Sequence, residues 1–346
     1  LTQHLAERRT EGVRMNVNFL GEAVLSEAES ERRLQQYLQG LQWPETEVVS
    51  IKISTLYSQI SPLAREHTVG VLCDRLERLF RTADRAQFVR PDGTSVPKFV
   101  YLDMEEYRDK ELTAAAFMRT LERDGLQHVR AGIALQSYIP DSFRTLLQLQ
   151  EWARRRVANG GGRITIRLVK GANMESERAE SSMRGWPQAP YQTKLETDAN
   201  YKRMVHEVLK PENLAAMDVG VASHNLFDLA YGLVLAHERG ALDQVQFEML
   251  EGMANAQRRA LFELSRNLLL YAPACRKENF INAIGYLIRR LDENTGPENF
   301  LRHAFKIEVD SPEWRQLEQG FLAAFDAIPR TSDAPRRHQD RNVPPV

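Results

Sequence analysis

The sequence predicts an α/β protein built as an eight-stranded (βα)8 barrel of the TIM type, on three observations. Short β-branched or aliphatic runs recur eight times along the chain. Amphipathic, charge-rich stretches of helical period separate them, the alternation of a parallel sheet wrapped by helices. No G-x-G-x-x-G opens a helix after any run, which disfavours an open dinucleotide-binding sheet, and eight strand-helix units suit closure where five or six would suit an open one.

The strand runs are Met15 to Leu20, Val48 to Ile53, Lys98 to Leu102, Gly132 to Gln136, Ile164 to Val169, Met217 to Ala222, Val245 to Leu250 and Leu268 to Tyr271. Outer helices are expected over Ser26 to Leu41, Arg65 to Thr82, Phe143 to Val157 and Asn200 to Leu209, where apolar residues recur at three- and four-residue spacing. Gly160 to Gly162 reads as the turn into the fifth strand. A last helix, Phe280 to Leu291, follows the eighth strand, and Gly296-Pro297 should end it. The barrel is assigned to residues 15–305, with an N-terminal extension over 1–14 and a C-terminal helix and polar tail over 306–346.

Composition agrees with one large domain. The 346 residues are 42% hydrophobic, and an α/β barrel needs about 250 residues. With 46 basic against 47 acidic residues and a net charge of -1, the chain has no electrostatic footprint for nucleic acid. Cys73 and Cys275 stand far apart and read as inert thiols of a reducing compartment. No apolar run approaches the ~20 residues of a membrane span, and the N-terminus lacks a signal-peptide layout, so a soluble protein is expected. A chain that begins with Leu and ends in a polar, Pro-containing tail, Thr331 to Val346, reads as cut from a longer polypeptide.

In a β/α barrel the chemistry lies at the carboxyl ends of the strands, so the polar residues there are informative. The second strand delivers Lys52, the third Asp103 with Glu105 and Glu106, the fourth Gln136 and Tyr138, the fifth Arg167 and Lys170, and the sixth Ser223, His224 and Asn225. A mouth holding Lys52, Arg167, Lys170, Arg289 and Arg290 against few convergent acids would attract an anionic ligand. Glu293 follows Arg289 by four residues and Arg290 by three, so helical pitch lets it orient both guanidinium groups. Such forks grip a carboxylate through paired hydrogen bonds, and a lysine adds a point charge. That clamp suits an amino-acid carboxylate.

Other readings stay open at this point. An Arg-Arg-x-x-Glu pattern is more often a solvated, salt-bridged helix surface. His224 is more often a hydrogen-bonded structural residue than a ligand, and without an H-E-x-x-H or Cys/His cluster no metal is expected. Lys52 and Lys170 also fit a Schiff-base aldolase-like barrel, and a silent binding barrel is a third reading. Glu105 and Glu106, as strand neighbours, point to opposite faces and make a poor glycosidase pair.

Six segments decide among these. Leu20-Gly-Glu-Ala-Val, Ser50-Ile-Lys-Ile-Ser, Leu102-Asp-Met-Glu-Glu, Ile166-Arg-Leu-Val-Lys-Gly-Ala, Ser223-His-Asn and Tyr286-Leu-Ile-Arg-Arg-Leu-Asp-Glu-Asn occur in order over roughly residues 15–300. Together they resemble the proline dehydrogenase family, most closely the dehydrogenase domain of bacterial bifunctional proline utilisation A proteins. The fifth-strand and last-helix motifs carry most of the specificity.

The resemblance implies a distorted barrel whose final helix lies over the mouth, with FAD bound noncovalently along the strand ends. It implies oxidation of L-proline to 1-pyrroline-5-carboxylate by hydride transfer from C5 to flavin N5, the first step of proline catabolism to glutamate. A quinone would accept the electrons, an aldehyde dehydrogenase domain would belong to the full-length protein, and a cytoplasmic location would allow transient contact with the inner membrane. By position, Asp103 and Arg167 would be catalytic. Lys52, Arg289 and Arg290 would hold the proline carboxylate, Tyr271, Tyr286 and Leu250 would line the ring pocket, and Glu293 would keep the arginine pair in register. Met104, Gln136, Arg167, Val169, Lys170, Gly171, Ala172, Ser223, His224 and Asn225 would contact the flavin, with Thr193, Lys194 and Thr197 towards its adenine or pyrophosphate end. Gly171 would let backbone approach the cofactor. Asn173 and Met174 depart from the family, many of whose members carry an aromatic there. Tyr271 should crowd C4 of the substrate, favouring proline over 4-hydroxyproline.

Overall fold

A strand with two buried faces must send every second side chain into a barrel and the rest under its helices, and this sequence answers with polar residues inside and aliphatic ones outside. The computed structural model describes residues 1–337 except 22, 172, 295–298 and 305–306, and of 279 and 292–294 it describes the backbone alone. Eight parallel strands close into a barrel: β1 (Arg14–Phe19), β2 (Val48–Lys52), β3 (Phe99–Asp103), β4 (Gly132–Gln136), β5 (Ile164–Val169), β6 (Met217–Ala222), β7 (Val245–Leu250) and β8 (Leu268–Ala274). They pair in chain order, and β8 pairs with β1 to complete the ring. Ile51, Leu102, Ile166, Leu168, Val219 and Phe247 are fully buried under the helices. Asn16, Ser50, Tyr101, Arg167, Gln246 and Glu248, equally buried, hydrogen-bond one another across the interior.

The helices that matter for the site are α1 (Thr2–Thr10), α2 (Glu27–Gly40), α3 (Arg65–Arg85), α4 (Lys110–Leu121), α5 (Ser142–Ala158), α6 (Met174–Arg184), α7 (Lys194–Val208), α8 (Leu226–Glu238), α9 (Asn255–Ser265), α10 (Phe280–Asn294) and α11 (Pro312–Ala327). Four strand spans match expectation at both ends. Ile53 instead opens a helical turn, Ile53–Leu56. β8 continues through Pro273, because beyond Tyr271 it pairs with β1 and no longer with β7, so the missing N–H forfeits no ladder bond on that side. α7 starts six residues before the expected Asn200, since Thr193 and Glu196 form a capping box.

The N-terminal stretch packs on the barrel. Arg8 Nη2 meets Glu251 Oε1 after β7 at 2.5 Å, and Glu11 faces Arg258 of α9 at 3.4 Å. At the other end α11 closes over α7 and α8, where the Lys202 ammonium lies 4.4 Å from the Phe321 ring centroid and the Phe227 and Trp314 rings are 4.8 Å apart. Helix α10 turns Ile281, Ile284, Leu287, Ile288 and Leu291 outward, and Tyr286, Arg289 and Arg290 lie on its half-buried face. Among the described residues no helix is long and apolar enough to cross a membrane.

Candidate active site

Arg167 stands at the centre of the barrel mouth, 3% exposed. Its Nε donates to Glu248 Oε2 at 2.5 Å, and its Nη1 donates to Asp103 Oδ1 at 2.7 Å and to Ser50 Oγ at 3.3 Å. The guanidinium carbon lies 3.8 Å from the Tyr101 ring centroid. Tyr271 OH donates to the second oxygen of Asp103 at 2.8 Å. Burial opposes the charge on Arg167, but Glu248 and Asp103 outweigh it and hold the group above its ordinary range. Burial, with Asp103 adding to it, pushes the Tyr271 phenol well up, so it remains a donor at neutral pH.

The expectation of few convergent acids is corrected here. Lys52 Nζ donates to Glu105 Oε1 at 2.5 Å, and Lys170 Nζ meets Asp198 Oδ1 at 2.5 Å and Asp228 Oδ2 at 2.6 Å. Lys194 also pairs with Asp198. The reason is topological: Asp198 and Asp228 come from the N-terminal halves of α7 and α8, and Glu248 from within β7, places that reading strand ends does not sample. Burial works against the charge on both lysines, yet their carboxylate partners raise them above the ordinary lysine value. Both pairings favour the ammonium form over the neutral amine that Schiff-base chemistry needs.

Around this centre lie the residues expected at a flavin. Gln136 Nε2 donates to the carbonyls of Met104 (3.2 Å) and Glu105 (3.3 Å), tying the end of β4 to that of β3. The Val169 and Lys170 carbonyls accept from Ser137 N (2.8 Å) and Tyr138 N (2.7 Å). A Cβ on Gly171 would lie 2.4 Å from the Tyr138 ring, so this glycine is required by packing inside the protein before any ligand is considered. Ser223 Oγ accepts from Asn225 N at 3.0 Å, and Asn225 caps α8 through Phe227 N at 3.0 Å. Thr193 is spent on capping α7, and Thr197 lies buried one turn on. Lys194 and Asn225 line a cleft whose far wall is Gln316, Leu317 and Phe321 of α11. Ala172 and the Glu293 side chain lie outside the described residues.

Helix α10 brings Arg290 and Tyr286 to the mouth. Arg290 lies close enough to His224 to lower its basicity, and Tyr286 close enough to Tyr271 to raise that phenol further. The Arg290 guanidinium stacks 5.3 Å from the Tyr286 ring centroid. Half-buried Leu250 donates its backbone N–H to His224 Nε2 at 3.0 Å. Nε2 is therefore the acceptor nitrogen and Nδ1 carries the proton.

Burial first, and Arg290 second, hold His224 down at about 4 from its ordinary 6.5. Between those values the unfolded chain binds a proton that the folded protein does not. The stability this group contributes is full above 6.5 and is lost as pH falls through 4. The urea midpoint should decline over that window, and His224→Asn should decline less steeply; equal slopes would remove His224 as the cause.

The sequence pattern described as proline dehydrogenase matches residues 1–303. The chain belongs to the proline dehydrogenase family. The bifunctional protein PutA of Klebsiella aerogenes is 27% identical over 312 residues, 84% of this chain and 22% of that protein. The proline dehydrogenase of Deinococcus radiodurans is 29% identical over 197 residues, 56% of this chain and 53% of that one. Among solved structures, proline utilization A from Corynebacterium freiburgense superimposes with a TM-score of 0.85 at 38% identity, covering 97% of this chain and 32% of that chain. Proline utilization A from Bdellovibrio bacteriovorus, inactivated by N-propargylglycine, gives 0.79 at 31% identity, covering 91% and 33%. This member of the family thus spans about a fifth to a third of its PutA relatives' length.

Within this proline dehydrogenase barrel, sequence reasoning missed Tyr101, Gln246 and Glu248. The signal was a polar residue at every second position of an otherwise aliphatic run: Gln246 and Glu248, Tyr101 and Asp103, Ser50 and Lys52. Two donors in the same neighbourhood, Arg167 Nη2 and His224 Nδ1, are buried with no protein acceptor among the described residues.

Proposed function

We propose that the chain is an FAD-dependent L-proline dehydrogenase that oxidises L-proline to 1-pyrroline-5-carboxylate, the first step of proline catabolism to glutamate. The observation that carries this reading, beside family membership, is Arg167. It is buried, ionised and locked on two edges, with its third edge lacking an acceptor. A buried donor left unmade costs about 1–3 kcal/mol, and an electron-rich ring with carbonyl edges is the kind of partner that would satisfy it. FAD, when bound, would supply the two-electron acceptor, its N5, for the hydride that leaves C5 of proline. His224 Nδ1, Gln136, Met104, Val169, Lys170 and Gly171 would line its ring, Ser223 and Asn225 its edge, and the cleft between α7 and α11 its nucleotide end.

The remaining chemistry belongs to the chain. Arg289, Arg290 and Lys52 would grip the substrate carboxylate and fix its position in the mouth. Tyr271, Tyr286 and Leu250 enclose the pyrrolidine carbons and exclude water, so that C5 is held at near-attack distance. Asp103 keeps the Tyr271 phenol and the Arg167 guanidinium in place. The substrate nitrogen must be neutral before the C5–H bond breaks, so the rate of proline oxidation rises with pH.

Electrons pass to a quinone during transient contact of a cytoplasmic protein with the inner membrane, and the bifunctional PutA relatives support an aldehyde dehydrogenase domain in the full-length protein. Purified protein should show the visible flavin absorption band and lose it on adding L-proline, more slowly with 4-hydroxyproline because Tyr271 crowds C4. Colourless protein that takes up no FAD would sink this reading, and faster bleaching by hydroxyproline would sink the role given to Tyr271. Borohydride trapping of a carbonyl compound on Lys52 or Lys170 would instead favour the aldolase.

A further inference from the structure

Arg167 bonds to a second carboxylate that the proposed chemistry does not use. Glu248 on β7 is 3% exposed, and its Oε2 takes the Nε–H of Arg167 at 2.5 Å. Its other oxygen accepts from Gln246 Nε2 at 2.7 Å and from Tyr101 OH at 3.3 Å. Room for it is made by Gly220 on β6, where a Cβ would fall 2.3 Å from Glu248 Oε1. The barrel thus builds a fitted, hydrogen-bonded seat for a negative charge that a neutral interior would not need.

The guanidinium has three edges' worth of donors. Glu248 takes Nε, Asp103 and Ser50 take Nη1, and Nη2 has no acceptor among the described residues. Two carboxylates on different strands prevent the plane from turning, so one nitrogen is left for a ligand. They also set a charge balance: one guanidinium against two carboxylates. Every partner of Glu248 donates to it, Arg167 Nε on one oxygen and Gln246 Nε2 and Tyr101 OH on the other, which is the hydrogen-bond pattern of a carboxylate.

We propose that Glu248 is a positioning residue: it aims the Nη2 edge of Arg167 into the mouth, and its negative charge offsets that of the guanidinium so that the site favours reduction of the bound flavin less strongly than Arg167 alone would. The proposal rests on the flavin reading above. In a buried site a carboxylate close to an electron acceptor opposes added negative charge, and the protein's fixed charges are a main means of tuning a cofactor's potential. The second carboxylate thereby keeps the reduced form able to pass its electrons on.

The test measures the midpoint potential of bound flavin in wild type, Glu248→Gln and Glu248→Asp. Gln keeps an acceptor for Nε–H and removes the charge, so reduction should become at least ~10-fold more favourable, an upward shift of ~30 mV or more for a two-electron couple. Asp keeps the charge but reaches less far, so it should hold a potential near wild type while KM for proline rises as Arg167 loosens. Flavin-loaded Glu248→Gln with an unchanged or lower potential overturns the proposal and leaves the functional reading intact. Where Gln gives no folded protein, a Glu248→Asp potential raised well above wild type overturns it. Wild-type protein that binds no flavin overturns the functional reading, and this proposal with it.

Discussion

Arg167→Met should lose about 3–5 kcal/mol of stability at neutral pH, the largest effect of any single substitution in the barrel mouth. Methionine fills the space of the Arg167 stem and stops short of the guanidinium, so the loss of packing is limited to that group. What the variant loses is the cation paired with Asp103 and Glu248 where water is scarce. Gln246, Tyr101 and Tyr271 still donate to the two carboxylates, which limits the loss, but these are neutral donors. In the intact protein burial already raises Glu248 above 4.5 against the pull of Arg167; without that pull it rises further. The sign of the pH dependence follows. A carboxyl raised on folding binds a proton in the folded protein that the unfolded chain has released, so it stabilises below its unfolded value and less as pH rises through the folded one. The deficit of Arg167→Met should therefore be smaller near about pH 5 than near about pH 8. Urea midpoints of variant and wild type at the two pH values measure this, and a deficit independent of pH would mean that packing, not charge, is what Arg167 supplies.

The contrast between what was legible in the sequence and what was not is instructive at the same residues. Strands β4 to β7 are readable to the residue because each is a short, mainly aliphatic run between charged stretches of helical period, recognisable even where single polar residues interrupt it. Arg167 itself was conspicuous as a charge inside such a run. Its partner Glu248 carried the same signature, a charge between Phe247 and Met249, but it falls before the strand end where functional residues were sought. Asp198, just ahead of the expected helix, and Asp228, in the first turn of α8, look like ordinary solvated acids near a helix start. Only the packing of α7 and α8 against the ends of β5 and β6 turns them towards Lys170 and buries them. Gly171 carries a second constraint that the sequence does not show: the close approach its missing side chain permits includes that of Tyr138 in the same chain. Periodicity reports which face is buried; it does not report what lies opposite.

Arg289→Ala with Arg290→Ala should lower kcat/KM for L-proline by about 10²–10⁴-fold, with most of the loss in KM and only a small change in unfolding midpoint. Charge-assisted hydrogen bonds contribute about 1.5–3 kcal/mol each, and two guanidinium groups on one carboxylate do not add fully. The fold should tolerate the change because α10 meets the barrel along one face only, and alanine keeps its helical propensity. Arg290 also helps to depress His224, so its removal should let the imidazole titrate somewhat above about 4. Burial is the larger cause, and it remains. A separate readout isolates the clamp from the helix. Lys52 is anchored on β2 by Glu105, independently of α10, so the double variant should still bind a monocarboxylate analogue of the substrate, weakly and with steep salt dependence. If analogue binding and KM both stay at wild-type values, the paired arginines are surface charges and the carboxylate is held elsewhere. If flavin uptake is lost together with substrate binding, α10 closes the cofactor site rather than gripping the substrate.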